Sequence, residues 1–342
     1  MSPVILRPEG SRTTLLTAAL LALVGHGYAS NASAAAPGVR TVDLVYAVEV
    51  TGAPVGAGPV TLWLPVPGDD EDQTTLDTRI VSPYPVTLTK ETEYGNRMLV
   101  LTTDRLDKDS FAIEVTYRIR RTEHRTDFAA TDVRESVNPR FRAPSAHAVM
   151  NDAVRGMAKE AVGDRTDPLD KARAIYDYVL AHMRYDKSVP GWGKGDVNRI
   201  CLAIGKGESG AGNCTDFHSL FASMMQAEGI PVKFEMGYPL KPGEEMTTPN
   251  RGGYHCWARF WIEGKGWIPV DISEAAKDPS KRDYYFGALC ENRVRFSVGR
   301  DIELIPPQIG ERLNFFGPDP YIEIGGKPFD GFSRTVAYRD VE

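Results

Sequence analysis

The sequence predicts an α+β protein: an N-terminal antiparallel β-sandwich, then helices packed on an antiparallel sheet. Three observations carry this reading. Between residues 42 and 125, apolar residues recur at every second position, the period of a half-buried strand. Between residues 148 and 228 they recur at three- and four-residue steps, the period of a helix packed on one face. After Pro231 the period returns to two. Helices followed by strands, with no strand–helix alternation, is an α+β order.

The chain opens on a leader. Arg7 and Arg12 precede an apolar run over residues 15–24, and Ala32-Ser33-Ala34 has the small-x-small form of a cleavage site. This predicts a secretory signal peptide over residues 1–34 and an exported protein, periplasmic or secreted.

The strands follow. Leu44, Tyr46, Val48 and Val50 share one parity, as do Val60, Leu62, Leu64 and Val66, and then Ile113, Val115, Tyr117 and Ile119. Gly56-Ala57-Gly58-Pro59, Pro67-Gly68-Asp69-Asp70 and Ser82-Pro83-Tyr84-Pro85 punctuate them. Short alternating strands at this spacing predict a β-sandwich domain over residues 41–125. Its only histidine, His124, has no Cys or Asp partner close by in sequence and is expected on the solvated surface.

Residues 126–145 are a polar linker, and residues 146–342 form the second domain. Helices are expected over residues 148–162 and 169–183, with a short one near residues 198–205 in a Gly-rich loop. A further helix runs from Cys214 and stops at Gly229. Strands are expected over residues 232–238, 254–263 and 267–272, and Gly325-Gly326 marks a hairpin turn.

Composition excludes several function classes. The 342 residues are 42% hydrophobic and 25% charged, which excludes a disordered chain. Net charge is −6 and no block of Lys and Arg occurs, so nucleic acid is not an expected partner. No apolar run reaches the roughly 20 residues of a membrane span. Four cysteines are too few for a disulfide scaffold. No cofactor fingerprint, CxxC pair, HxxxH pair or calcium loop appears, so no cofactor or metal is expected.

Chemistry concentrates in Gly210-Ala211-Gly212-Asn213-Cys214-Thr215-Asp216-Phe217-His218. A Gly-rich loop meets a helix, with Asn213 as N-cap and Cys214 in the first turn. The unpaired N–H groups and positive end of the helix lower a thiol pKa and can hold half of an oxyanion. Downstream, Tyr254-His255-Cys256-Trp257 opens one strand, and Trp267-Ile268-Pro269-Val270-Asp271 is the returning one. One hairpin therefore carries a His and an Asp, the base and orienter that a cysteine nucleophile needs. Spacing alone does not join the three.

Those three segments, in that order, resemble the transglutaminase-like superfamily in its exported bacterial branch. Gly229-Ile230-Pro231, Gly237-Tyr238 and Arg184-Tyr185-Asp186 also fit. The resemblance implies a papain/transglutaminase-like core with Cys214 as nucleophile, His255 as base and Asp271 as orienter. It further implies a peptide or protein substrate and acyl transfer through a thioester. Water at roughly 55 M outcompetes an amine unless it is excluded, and no amine site is visible, so hydrolysis is favoured over transfer. The alternatives are a protein-glutamine transglutaminase and a non-catalytic binding or assembly module of the same fold.

Neighbouring residues are weighed as follows. His218, four residues after Cys214, is expected to hydrogen-bond within its helix, since two ligands do not make a metal site. Trp192 is expected to pack in its loop, with an oxyanion contact as the alternative. Cys256 departs from the family pattern and is expected on the strand face opposite His255, so it should not replace Cys214 as the nucleophile. If Cys214 is free, at most one disulfide can form among Cys201, Cys256 and Cys290. Finally, His255 and Asp271 meet only if their hairpin has an odd-length loop or a bulge. A loop of Glu263-Gly264-Lys265 would set Trp257 opposite Asp271, with His255 diagonal to it.

Overall fold

The computed structural model describes residues 36–242, 246–249 and 253–341, so the leader reading of residues 1–34 lies outside them. The first strands are β1 (Val39–Val50), β2 (Val60–Pro65), β3 (Gln73–Val81), β4 (Val86–Lys90), β5 (Arg97–Thr103), β6 (Phe111–Thr122) and a short β7 (His124–Arg125). The period-two pattern becomes a buried face: Val42, Leu44, Tyr46, Val48 and Val50 of β1 pack with Ile113, Val115, Tyr117 and Ile119 of β6. β1 and β6 are antiparallel, with Tyr46 opposite Val115. Leu62, Leu64, Leu99 and Leu101 of β2 and β5 close the same core from the facing sheet.

The second half begins with α1 (Asp152–Val162), α2 (Pro168–His182), β8 (Met183–Tyr185), α3 (Val197–Gly205), β9 (Gly210–Gly212) and α4 (Cys214–Ala227). Each helix has a sequence-encoded start. The side chains of Asn151, Asp167 and Asp196 accept from first-turn backbone N–H groups of α1, α2 and α3. There follow β10 (Val232–Pro239), β11 (Met246–Pro249), β12 (His255–Ile262), β13 (Gly266–Val270), α5 (Ile272–Lys277), β14 (Ala288–Leu289) and β15 (Arg293–Val298). β13, β12, β10 and β15 form one antiparallel sheet in that order. α4 lies on it through β12 and β10, and α1, α2, α3 and α5 surround α4. Every residue of α4 from Cys214 to Met225 is buried. A helix buried all round is a core element, which fixes its first residue rigidly against the sheet.

The chain ends with β16 (Tyr321–Ile324), β17 (Lys327–Pro328) and β18 (Phe332–Asp340). β16 and β17 are joined through Gly325-Gly326, the turn the sequence marks. The sequence places these residues with the helical half, but β18 pairs with β1 and β16 with β2. The two sandwich sheets run β11-β18-β1-β6-β3 and β17-β16-β2-β5-β4. Periodicity identifies a strand but not its partner, and β1 and β2 would otherwise expose unpaired edges. From Pro37 onward the chain is one compact unit.

His124 differs from expectation. It is not solvated surface but half-buried, its Nδ1 3.0 Å from Asp72 Oδ2, a partner 52 residues away.

Candidate active site

The start of α4 is built around one carboxylate. Asp216 is fully buried and accepts hydrogen bonds from the backbone N–H groups of Gly193 (2.7 Å), Gly195 (3.2 Å) and Asn213 (2.9 Å) and from Arg199 Nη2 (3.0 Å). The Asn213 side chain accepts from Thr215 N at 2.9 Å, completing a capping box with Asp216. Asp216 therefore ties the upstream Gly-rich loop to the helix and leaves Cys214 at its first position. β8 and β9 pair in parallel, with Tyr185 opposite Gly212, and so bring Tyr185 to the same end of the helix.

The hairpin has the register that the triad requires. Ile262 pairs with Gly266, leaving a three-residue loop, Glu263-Gly264-Lys265. Gly264 and Gly266 take φ of +86° and +87°, a conformation other residues rarely adopt. Ala258 pairs with Val270, so the next position sets Trp257 against Asp271 with His255 diagonal to it. His255 Nε2 lies 2.7 Å from Asp271 Oδ2. The other ring nitrogen is not engaged by Asp271, and the Cys214 thiol is close enough to His255 for each to shift the other's pKa.

Asp271 is held by more than His255. Arg293 Nη1 donates to Oδ2 at 2.8 Å, while Ser273 Oγ and Glu274 N donate to Oδ1, each at 3.2 Å. Asp271 is thus the N-cap of α5 as well. His218 makes the helix hydrogen bond expected of it, Nδ1 to Cys214 O at 2.8 Å. Its Nε2 accepts from Ile272 N at 3.0 Å, so the Nδ1 position carries the proton. Both nitrogens are engaged, and His218 works as a strut between the two ends of the site.

Electrostatics follow from these contacts. Burial alone would raise the Cys214 pKa, but hydrogen bonds from Cys256 and His255 and the charge of His255 bring it well below the usual thiol value. Burial opposes a charged His255, yet the Asp271 carboxylate and the Cys214 sulfur raise its pKa from 6.5 to about 10. Despite burial, His255 and Arg293 keep Asp271 far below the usual carboxylate range. Both shifts favour a thiolate at Cys214 beside a protonated His255.

Cys256 sits on the strand face the sequence reading gives it, and it has a neighbour that reading did not name. It does face away from His255 on its strand, but α4 starts beside β12, and the Cys214 thiol contacts Cys256 as well as His255. Arg293, Cys256 and the anchoring role of Asp216 were not found from sequence, because each depends on a partner from another element. Trp192 is 39% exposed, with Lys187 Nζ 5.6 Å from its ring, and does not pack into its loop as expected. All four cysteines are free thiols.

A cleft of about 610 Å³ opens at His255, bordered by Tyr185, Tyr254, Tyr284, Tyr285, Glu274 and Lys277. A second cavity of about 490 Å³, lined by Lys233, Glu235, Trp267 and Arg295, includes none of the three site residues. No helix among the described residues is long and apolar enough to cross a membrane.

The chain was compared with known proteins. It is 29% identical to an uncharacterized protein from Haemophilus influenzae, over 86% of each chain. Its fold is similar to the crystal structure of a candidate cysteine protease from Cytophaga hutchinsonii, with a TM-score of 0.56 at 16% identity over 89% of this chain and 92% of that one. Residues 155–272, from α1 to the first residue of α5, match the family model of the transglutaminase-like superfamily.

Proposed function

We propose that the protein is a cysteine-dependent hydrolase of peptide or isopeptide bonds, with Cys214, His255 and Asp271 as its triad. The observation that carries this reading is the alignment of Cys214, His255 and Asp271, with a 2.7 Å bond between the last two. The Cys214 thiolate attacks the amide carbon. The Cys214 backbone N–H, among the unpaired donors of the helix start, faces the developing oxyanion. His255 gives its proton to the leaving amine as the C–N bond breaks, and a thioester remains. His255, now neutral, takes a proton from water, and the hydroxide releases the acid and the Cys214 thiolate, which restores the starting state. Asp271 keeps the ring oriented throughout. The leader read in residues 1–34 would place this reaction outside the cytoplasm.

The test is incubation with a peptide library and a labelled amine. Cleavage without incorporation, lost in Cys214→Ala, supports hydrolysis. Incorporation of the amine shows a transferase instead, and no Cys214-dependent product overturns the enzyme reading.

A further inference from the structure

Two thiols meet at the start of α4. Cys214 and Cys256 are 2% and 0% exposed and share one packed cluster with Phe234 and Met236. Cys256 donates to Oγ1 of Thr215, the residue that follows Cys214 on α4, at 3.5 Å, and burial beside Cys214 raises its pKa. The other two thiols lie apart: Cys201 packs in the helical core, and Cys290 sits 3.6 Å from Arg293 Nη2. A small buried cysteine needs no partner thiol for packing. Placed against a nucleophilic one, it has a chemistry available.

We propose that Cys256 is the resolving thiol of an oxidative modification at Cys214, in which a hydroperoxide yields a sulfenic acid that closes to a Cys214–Cys256 disulfide. This rests on the thiolate reading of Cys214 given above. In the first step the thiolate attacks the outer oxygen of ROOH. An S–O bond forms, the O–O bond breaks, and the alkoxide leaves as ROH with the proton of His255. In the second, the Cys256 sulfur attacks the sulfenic sulfur. The S–O bond breaks, and hydroxide leaves as water with the Cys256 proton. Two sulfurs lose one electron each and the peroxide gains both. Burial and the neighbouring Cys214 keep Cys256 a neutral thiol, so it does not compete for the peroxide. The disulfide occupies the nucleophile, shields it from the irreversible sulfinic stage, and a dithiol reductant reopens it.

The experiment treats the reduced protein carrying Cys290→Ala with hydrogen peroxide and analyses it by non-reducing mass spectrometry. The expected product has lost two hydrogens and yields one cross-linked peptide pair, Cys214 to Cys256. Alkylation of Cys214 by iodoacetamide should be lost with it and restored by dithiothreitol. In a Cys256→Ser background, Cys214 should stop at a sulfenic acid trapped by dimedone, then pass to sulfinic acid that dithiothreitol does not reverse. A surviving dithiol, or sulfinic acid at Cys214 without a cross-link when Cys256 is present, overturns the proposal. Untreated protein separates the two readings. If Cys214 alkylates rapidly at neutral pH yet no disulfide forms, only the resolving role fails. If Cys214 alkylates no faster than Cys256, the thiolate reading fails with it.

Discussion

Arg293 and His255 donate to the same oxygen of Asp271, Nη1 at 2.8 Å and Nε2 at 2.7 Å. One carboxylate oxygen therefore fixes the imidazole and is itself fixed by a guanidinium from β15. The Arg293 guanidinium also stacks 4.8 Å from the Trp257 ring, whose Nε1 donates to Glu235. The site is braced by side chains from β10 and β15.

The first prediction concerns that brace. Arg293→Met removes one partner of a buried ion pair and leaves Asp271 undercompensated. Such losses typically cost about 3–5 kcal/mol. Denaturant unfolding should show a drop of that order, and kcat should fall because the carboxylate can turn. Arg293→Lys keeps the charge without the fork and should recover part of the stability. Wild-type stability and kcat in Arg293→Met would show that His255 alone holds Asp271.

The second prediction is a pH profile. Cys214 lies below its usual pKa and His255 is raised to about 10, and the two titrate as a pair. As pH falls through the depressed thiol value, the nucleophile is protonated and kcat/KM declines. As pH rises through about 10, His255 loses the proton meant for the leaving amine and activity declines again. Between these limits the profile should be flat across neutrality. A rise in kcat/KM between pH 7 and 9, the signature of a thiol near its ordinary pKa, would contradict the ion pair.

How much of this was legible in the sequence depends on range. The start of α4 was legible because Asn213 caps it within three residues, whereas α1 begins at Asp152, four residues after the periodicity places it. The hairpin register was legible because parity from Gly264 and Gly266 decides which side chains share a face. What escaped was long-range. β18 returns nearly 300 residues later to flank β1, Arg293 reaches Asp271 from β15, a strand the sequence reading did not place, and His124 finds Asp72 at the start of the neighbouring strand β3. Cys256 escaped for a different reason: parity placed it correctly on β12, but not the neighbouring helix start that meets it.

The third prediction tests the anchor at Asp216. Asp216→Asn is nearly isosteric but turns an N–H donor toward donors, leaving buried backbone groups without acceptors. Each such group costs about 1–3 kcal/mol. The loop held through Gly193 N and Gly195 N should loosen first. Hydrogen exchange should rise in residues 191–196 while the β-sandwich remains protected. Unchanged exchange there would mean that Arg199 and the loop's own turns suffice.

The last prediction links a backbone position to the triad. Gly237 lies opposite His255 on β12 and opposite Arg295 on β15, where the β10–β15 register shifts. A Cβ at Gly237 would stand 1.8 Å from Val294 O and 3.0 Å from Arg295 Cα, both backbone atoms that cannot rotate aside. Gly237→Ala must therefore push β15 away from β10. Overpacking of this kind costs about 1–3 kcal/mol. The strand that moves carries Arg293, so the displacement should also withdraw the guanidinium from Asp271 and lower kcat. A double-mutant cycle isolates this route. If Gly237 acts on catalysis through Arg293, Gly237→Ala should lower kcat little further in an Arg293→Met background. Full additivity of the two losses would show that Gly237 serves the sheet alone and that its place beside His255 has no bearing on the triad.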